Sequence, residues 1–123
     1  MAYFSIAHIL RLQDGMYAVR SAGYPGCEGR DVQAWPAREK FRTALSEQVR
    51  EMIGAGEMPP GLYASLDEAQ AKFGEHVRTQ LEAEDRQPNT FDYAVIVDLD
   101  LPAAEAERYA AIRVSKLLPE SRL

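Results

Sequence analysis

Three aspartates, Asp92, Asp98 and Asp100, lie along one strand-like segment, and the last two share a face at its end. Carboxylates paired on a strand could hold a divalent cation for phosphodiester cleavage. Such a centre needs further oxygen ligands, and nothing in the spacing brings Glu39 or Glu68 to it. The simpler reading is favoured: the strand leaves the core there and its last residues are solvated. Cys27 beside a turn could act as a nucleophile with His8 or His76 as base. No motif brings a histidine to it, and lone cysteines are usually small buried hydrophobes. One cysteine and two scattered histidines make no zinc pattern. His8 sits on the apolar parity of its segment, as a hydrogen-bonded core or edge histidine does, whereas His76 falls on a polar helical position. Gly23, Gly26 and Gly29 lack the lysine and the strand-to-helix context of a phosphate loop and read as turn glycines. No catalytic, cofactor-binding or metal residue is therefore assigned, and no cofactor is expected. Trp35 and Tyr24 remain open, either as interface anchors or as covers for the end of the core.

The elements that would position these residues follow from periodicity. Phe4, Ile6, Leu10 and Leu12 share one parity, with His8 the exception, and Tyr17 and Val19 share one parity after Asp14-Gly15. Alternation of this kind marks half-buried strands. Asp-Gly predicts a type I′ hairpin turn centred on that pair, joining strands over Tyr3–Leu12 and Met16–Ala22. A third short strand is expected around Cys27–Gln33. Trp35-Pro36 marks a boundary, and from Ala37 the apolar period becomes helical through Phe41, Ala44, Leu45, Val49, Met52 and Ile53. Gly54-Ala55-Gly56 ends that helix. After the rigid Glu57–Gly61 connector, Ser65-Leu66-Asp67-Glu68 forms a capping box. It opens a second amphipathic helix through Leu66, Ala69, Phe73, Val77 and Leu81 to about Ala83. A polar surface loop is expected from Glu84 to Thr90. Phe91–Leu101, apolar on both faces, reads as a central strand covered by a helix or a partner chain. The tail from Pro102 begins as helix by propensity, and Ala111–Leu118 either extends that helix or forms a strand, ended by Pro119.

Composition bounds the function classes. At 123 residues the chain reads as one domain able to bury a core, with 46% apolar and 27% charged residues. No apolar run approaches the roughly 20 residues that span a bilayer. The N-terminus lacks a signal peptide's charged start and apolar core, so a cytoplasmic location is expected. Nineteen acidic against 14 basic residues give a net charge of −5. That argues against broad phosphate binding and suits a basic protein partner.

In order and spacing the chain resembles the HicB-type antitoxins. The resemblance rests on Asp14-Gly15-Met16-Tyr17-Ala18-Val19, on Pro25-Gly26-Cys27-Glu28-Gly29, and on the helix through Phe41 and Leu45. Gly56-Glu57-Met58-Pro59-Pro60 and Val95-Ile96-Val97-Asp98-Leu99-Asp100-Leu101 extend it. It implies a compact ribonuclease H-like partial fold without nuclease activity, and with the elements read above the expected fold is an α/β (α+β) single domain: a three- to four-stranded antiparallel sheet with two helices packed on it, in the order β-β-β-α-(α)-β. It further implies a homodimer or higher homo-oligomer that binds and occludes a small basic mRNA-cleaving toxin. Ile112-Arg113-Val114-Ser115-Lys116-Leu117-Leu118-Pro119-Glu120-Ser121 looks like the family's DNA-reading ribbon. The chain stops at Leu123, where the first helix of the DNA-binding unit should begin, which counts against operator binding. Two more departures are Val32-Gln33-Ala34-Trp35-Pro36, in place of the usual acidic helix start, and a second helix that looks like an insertion. The rivals to this reading are a metal-dependent nuclease using Asp98 and Asp100, and a stand-alone homo-oligomeric domain whose exposed strand edge pairs with itself.

Overall fold

The computed structural model describes residues 1–81 and 92–117. A ten-residue strand, β1 (Ala2–Arg11), supplies the centre of the fold. Both of its faces are apolar, and Ser5 through Ile9 are buried without interruption. A strand buried on both sides needs neighbours on both edges and cover on both faces. Strands β2 (Tyr17–Arg20), β3 (Glu28–Asp31) and β4 (Asp92–Asp100) complete one antiparallel sheet in the order β3-β2-β1-β4. The α+β architecture expected from the sequence is thus present, with one helix more than the two anticipated.

The hairpin between β1 and β2 forms where Asp-Gly predicted it, pairing Arg11 with Tyr17 and His8 with Arg20. Its turn differs from the expected type I′. The Gly15 amide bonds to the Leu12 carbonyl at 3.0 Å, so Gln13 and Asp14 are the central pair. Gly15 follows at φ +87°. This is a three-residue loop with a glycine bulge, and Asp14 stabilises it by accepting the Met16 amide at 2.9 Å. Two consecutive turns, Ser21 to Tyr24 and Tyr24 to Cys27, then lead into β3.

Helix α1 (Ala34–Gly54) starts three residues before Ala37 and keeps Pro36 in its first turn. Proline is tolerated there because first-turn amides have no intrahelical acceptor. Ala37, Phe41, Leu45, Val49 and Ile53 form its buried stripe. Its end is a Schellman motif: the Glu57 amide reaches the Met52 carbonyl at 2.8 Å and the Gly56 amide reaches that of Ile53 at 3.0 Å. Gly56 takes φ +77°, as the motif requires.

The connector after α1 closes the part of β1 that β2 does not reach. Phe4 and Tyr63 exchange two backbone bonds of 2.8 Å, and the Ser5 hydroxyl donates to the Gly61 carbonyl at 2.9 Å. Helix α2 (Leu66–Leu81) begins at the expected cap, the Ser65 hydroxyl oxygen accepting the Glu68 amide at 3.1 Å. The side chains of His76, Val77 and Leu81, and the expected loop over 84–90, lie outside the described residues.

Helix α3 (Ala103–Leu117) follows β4 directly, its first turn closed by the Ala106 amide on the Pro102 carbonyl. The tail is therefore helical through Leu117, and the ribbon expected over Ile112–Ser121 is overturned as far as that residue, its remainder lying outside the described residues. Buried Ala106 and Tyr109 and half-buried Ile112, spaced three apart, show the helical period that won. The α1 and α3 side of the sheet holds the main core, with Tyr3, Ala7, Ile9, Val19, Val97 and Leu99 facing it. Helix α2 covers β1 and β4 on the other face, over buried Ile6 and His8.

One expectation about position fails. The Phe91–Leu101 segment reads as central, but β4 lies at the end of the sheet order. Its apolar residues satisfy two covered faces, while its outer edge pairs with no strand among the described residues.

Candidate protein interface

Of the carboxylates singled out first, Asp98 and Asp100 each face cations, and the Asp92 side chain lies outside the described residues. Asp98 accepts from Arg42 Nη2 at 3.1 Å and lies 3.7 Å from Arg38 Nη2. Asp100 instead lies 3.3 Å from the N-terminal ammonium of Met1. Glu39 is on the same flank of α1 but within 3.5 Å of Arg42. Among the described residues no group of three or more His, Cys, Asp or Glu side chains could hold a metal ion. A divalent cation at Asp98 would stand beside two guanidinium groups, so the residues present do not fit a metal centre.

Cys27 is buried, and its thiol points to the Ala44 carbonyl of α1 at 3.6 Å. Burial pushes the thiol pKa up, opposite to the lowering that a reactive cysteine requires. His8 is buried in the α2 side of the sheet. Gly23 and Gly26 occupy turns as expected, whereas Gly29 is a strand residue. A Cβ on Gly29 would collide with the Ala37 carbonyl oxygen and stand 2.5 Å from the Phe41 nitrogen. Its glycine is there for close approach of α1, a reading open to an isolated glycine in a weak strand.

The two aromatics left open separate cleanly. Tyr24 is 3% exposed, and its hydroxyl donates to the Pro60 carbonyl at 2.5 Å. Burial raises its pKa far above the usual phenol value, so it is a neutral clasp between turn and connector. Trp35 is 64% exposed, at the start of α1. The Arg38 guanidinium lies 4.9 Å from the centroid of its ring. Val32, 67% exposed, stands just before the same helix. This arrangement presents an exposed tryptophan with an arginine over its ring, two side-chain types in which binding energy concentrates at protein interfaces.

The same flank reaches the outer edge of β4. Arg38 Nη2 donates to the Ile96 carbonyl at 3.2 Å, and Arg42 Nε donates to the Asp98 carbonyl at 2.7 Å. Sequence reasoning passed over both arginines. Their i, i+4 spacing beside the apolar stripe was the available signal, and a solvated helix face shows the same spacing.

No protein-family model matches the chain, and no curated protein matches it. Among solved structures it is similar to the N-terminal domain of Burkholderia pseudomallei antitoxin HicB. The likeness covers 80% of this chain and 100% of that one, at 21% identity and a TM-score of 0.46. No helix among the described residues is long and apolar enough to cross a membrane.

Proposed function

We propose that the chain is a HicB-like, non-catalytic protein-binding module of antitoxin type, which acts in the cytoplasm by binding and inhibiting a small basic mRNA-cleaving toxin. The observation that carries this reading is the exposed Trp35 with Arg38 stacked on it, a binding anchor left uncovered by the chain's own core. The ordered motifs support it: Asp14-Gly15 and Pro25-Gly26 fall on the turns, and Gly56 on the helix end, that the resemblance needs. A net charge of −5 suits a basic partner, whose association would slow as salt rises. The nuclease alternative has no comparable support, because Asp98 already pairs with arginines.

Co-expression with a small basic protein encoded beside this chain tests the reading. A stable complex is expected, and Trp35→Ala should weaken it by roughly 2 kcal/mol, about thirtyfold in Kd. If no such neighbour binds, the antitoxin reading fails. If one binds and Trp35→Ala leaves its affinity unchanged, the interface lies elsewhere.

A further inference from the structure

The outer edge of β4 carries more information than its position. Phe4 turns its backbone amide and carbonyl to Tyr63, away from β4. Phe4 lies opposite Asp98, and Ile6 opposite Ile96. Alternation along an antiparallel ladder then directs the amides and carbonyls of Ala94, Ile96, Asp98 and Asp100 outward. Exposed edges with this pattern are templates for another strand. Two of the outward carbonyls, those of Ile96 and Asp98, already accept hydrogen bonds from Arg38 and Arg42. Both donors are cations, and Arg38 is only 15% exposed at its side chain.

We propose that the outer edge of β4 is a latent pairing surface for a second copy of this chain, held shut by Arg38 and Arg42. The charge pattern of β4 is compatible with a second copy of itself and favours one register. An antiparallel copy centred on Val97 sets Ile96 opposite Asp98 and Ala94 opposite Asp100. Each carboxylate then faces an apolar residue, whereas centring on Ile96 would oppose Asp92 to Asp100. The Val97-centred register joins Ile96 and Asp98 as hydrogen-bonded pairs. It therefore needs as acceptors the two carbonyls that the arginines occupy. Val95, Ile96 and Val97 supply the apolar, β-favouring centre that such a pairing would use.

The guard and the latent edge are tested together with the double variant Arg38→Gln, Arg42→Gln. Its mass is followed against concentration by sedimentation, and amide exchange is read residue by residue. The expected result is association absent from the parent, with exchange at the Ile96 and Asp98 amides slowed roughly tenfold or more. Adding Ile96→Pro, which removes an outward amide and no ladder bond, should abolish that association. The proposal is overturned if the double variant keeps the parent's mass throughout. It is equally overturned if association occurs while those two amides exchange freely, or if the parent already protects them. Should the double variant fail to fold by circular dichroism, Arg42→Gln alone is carried through the same measurements. That variant removes both bonds to Asp98 while Arg38 stays in place.

Discussion

The two edges of the sheet are closed by the same helix in different ways. At the β3 edge, α1 presses directly on the strand. Gly29 leaves room for the Ala37 backbone, and Lys40 on that flank donates to the Arg30 carbonyl at 3.0 Å while pairing with Asp31 at 3.0 Å. Strand β3 is four residues long and rich in charge, a poor template even if uncovered. At the β4 edge, α1 sends Arg38 and Arg42 to the outward carbonyls of Ile96 and Asp98. That strand is nine residues long and apolar at its middle. One edge is sealed by shape and the other by charge. A seal made by shape responds little to ionic strength, whereas the part of the other made by half-exposed Arg42 is open to competition from salt, anions or a partner's carboxylates.

The sharpest way to break this comparison is Gly29→Ala. The new Cβ would meet backbone atoms of α1, which have no rotamer to change, so helix and strand must separate. We expect a loss of about 3 kcal/mol or more by urea unfolding, at the upper end of overpacking costs. Gly26→Ala, where a Cβ meets nothing within 4 Å, should change stability by less than about 0.5 kcal/mol. Equal effects at the two glycines would show that α1 does not seal β3 by contact.

A smaller effect distinguishes the charged seals. Arg42→Met removes the bonds to the Asp98 carbonyl and carboxylate and should cost about 1 kcal/mol, falling as salt is raised. Lys40→Met removes the bond to the Arg30 carbonyl and the ion pair with Asp31 at β3, and should cost less than Arg42→Met because Lys40 is the more exposed of the two cations. Thermal melts at low and high salt measure both. If Lys40→Met proves the costlier of the two, β3 depends on its lysine more than on packing.

Much of the fold was legible before any coordinates. The hairpin, the α1 stripe from Ala37 to Ile53, and the caps at Gly56 and Ser65 are set by neighbours in the chain, so local pattern suffices. What the pattern misses is decided at long range. Apolar residues on both faces of β4 report coverage above and below, and say nothing about whether a strand lies alongside. Ile112 and Val114 alternate as a strand would, yet Tyr109 packs edge-to-face on Tyr3, with ring centroids 5.2 Å apart, and holds the segment as helix. The hairpin turn moved by one residue because Asp14 found a partner in the Met16 amide and left the left-handed position to Gly15 alone. Of the candidate site, Trp35 was visible as a residue type, but its exposure was not. Arg38 and Arg42 acquire meaning only once β4 is placed at an edge.

The smallest expected effect concerns how the β3 edge is held from the face away from α1. Glu28 accepts from Arg20 at 2.8 Å across the β2–β3 pair and from Arg30 along its own strand. Partial burial alone would raise the Glu28 pKa. The hydrogen bonds from Arg30 and Arg20, with their charges, outweigh it and leave the carboxyl below its usual value. A carboxyl depressed in the folded state takes up its proton less readily than in the unfolded chain. Its stabilisation is therefore complete above the usual carboxylate range and is lost as pH falls through the lowered folded value. Glu28→Gln should lower stability at neutral pH by no more than about 0.5 kcal/mol, because the partners are substantially exposed. The difference from the parent should shrink to nothing as the solution is acidified through that window. A difference that persists in acid would mean that Glu28 contributes by packing, and that the β3 edge relies on contact on both of its faces.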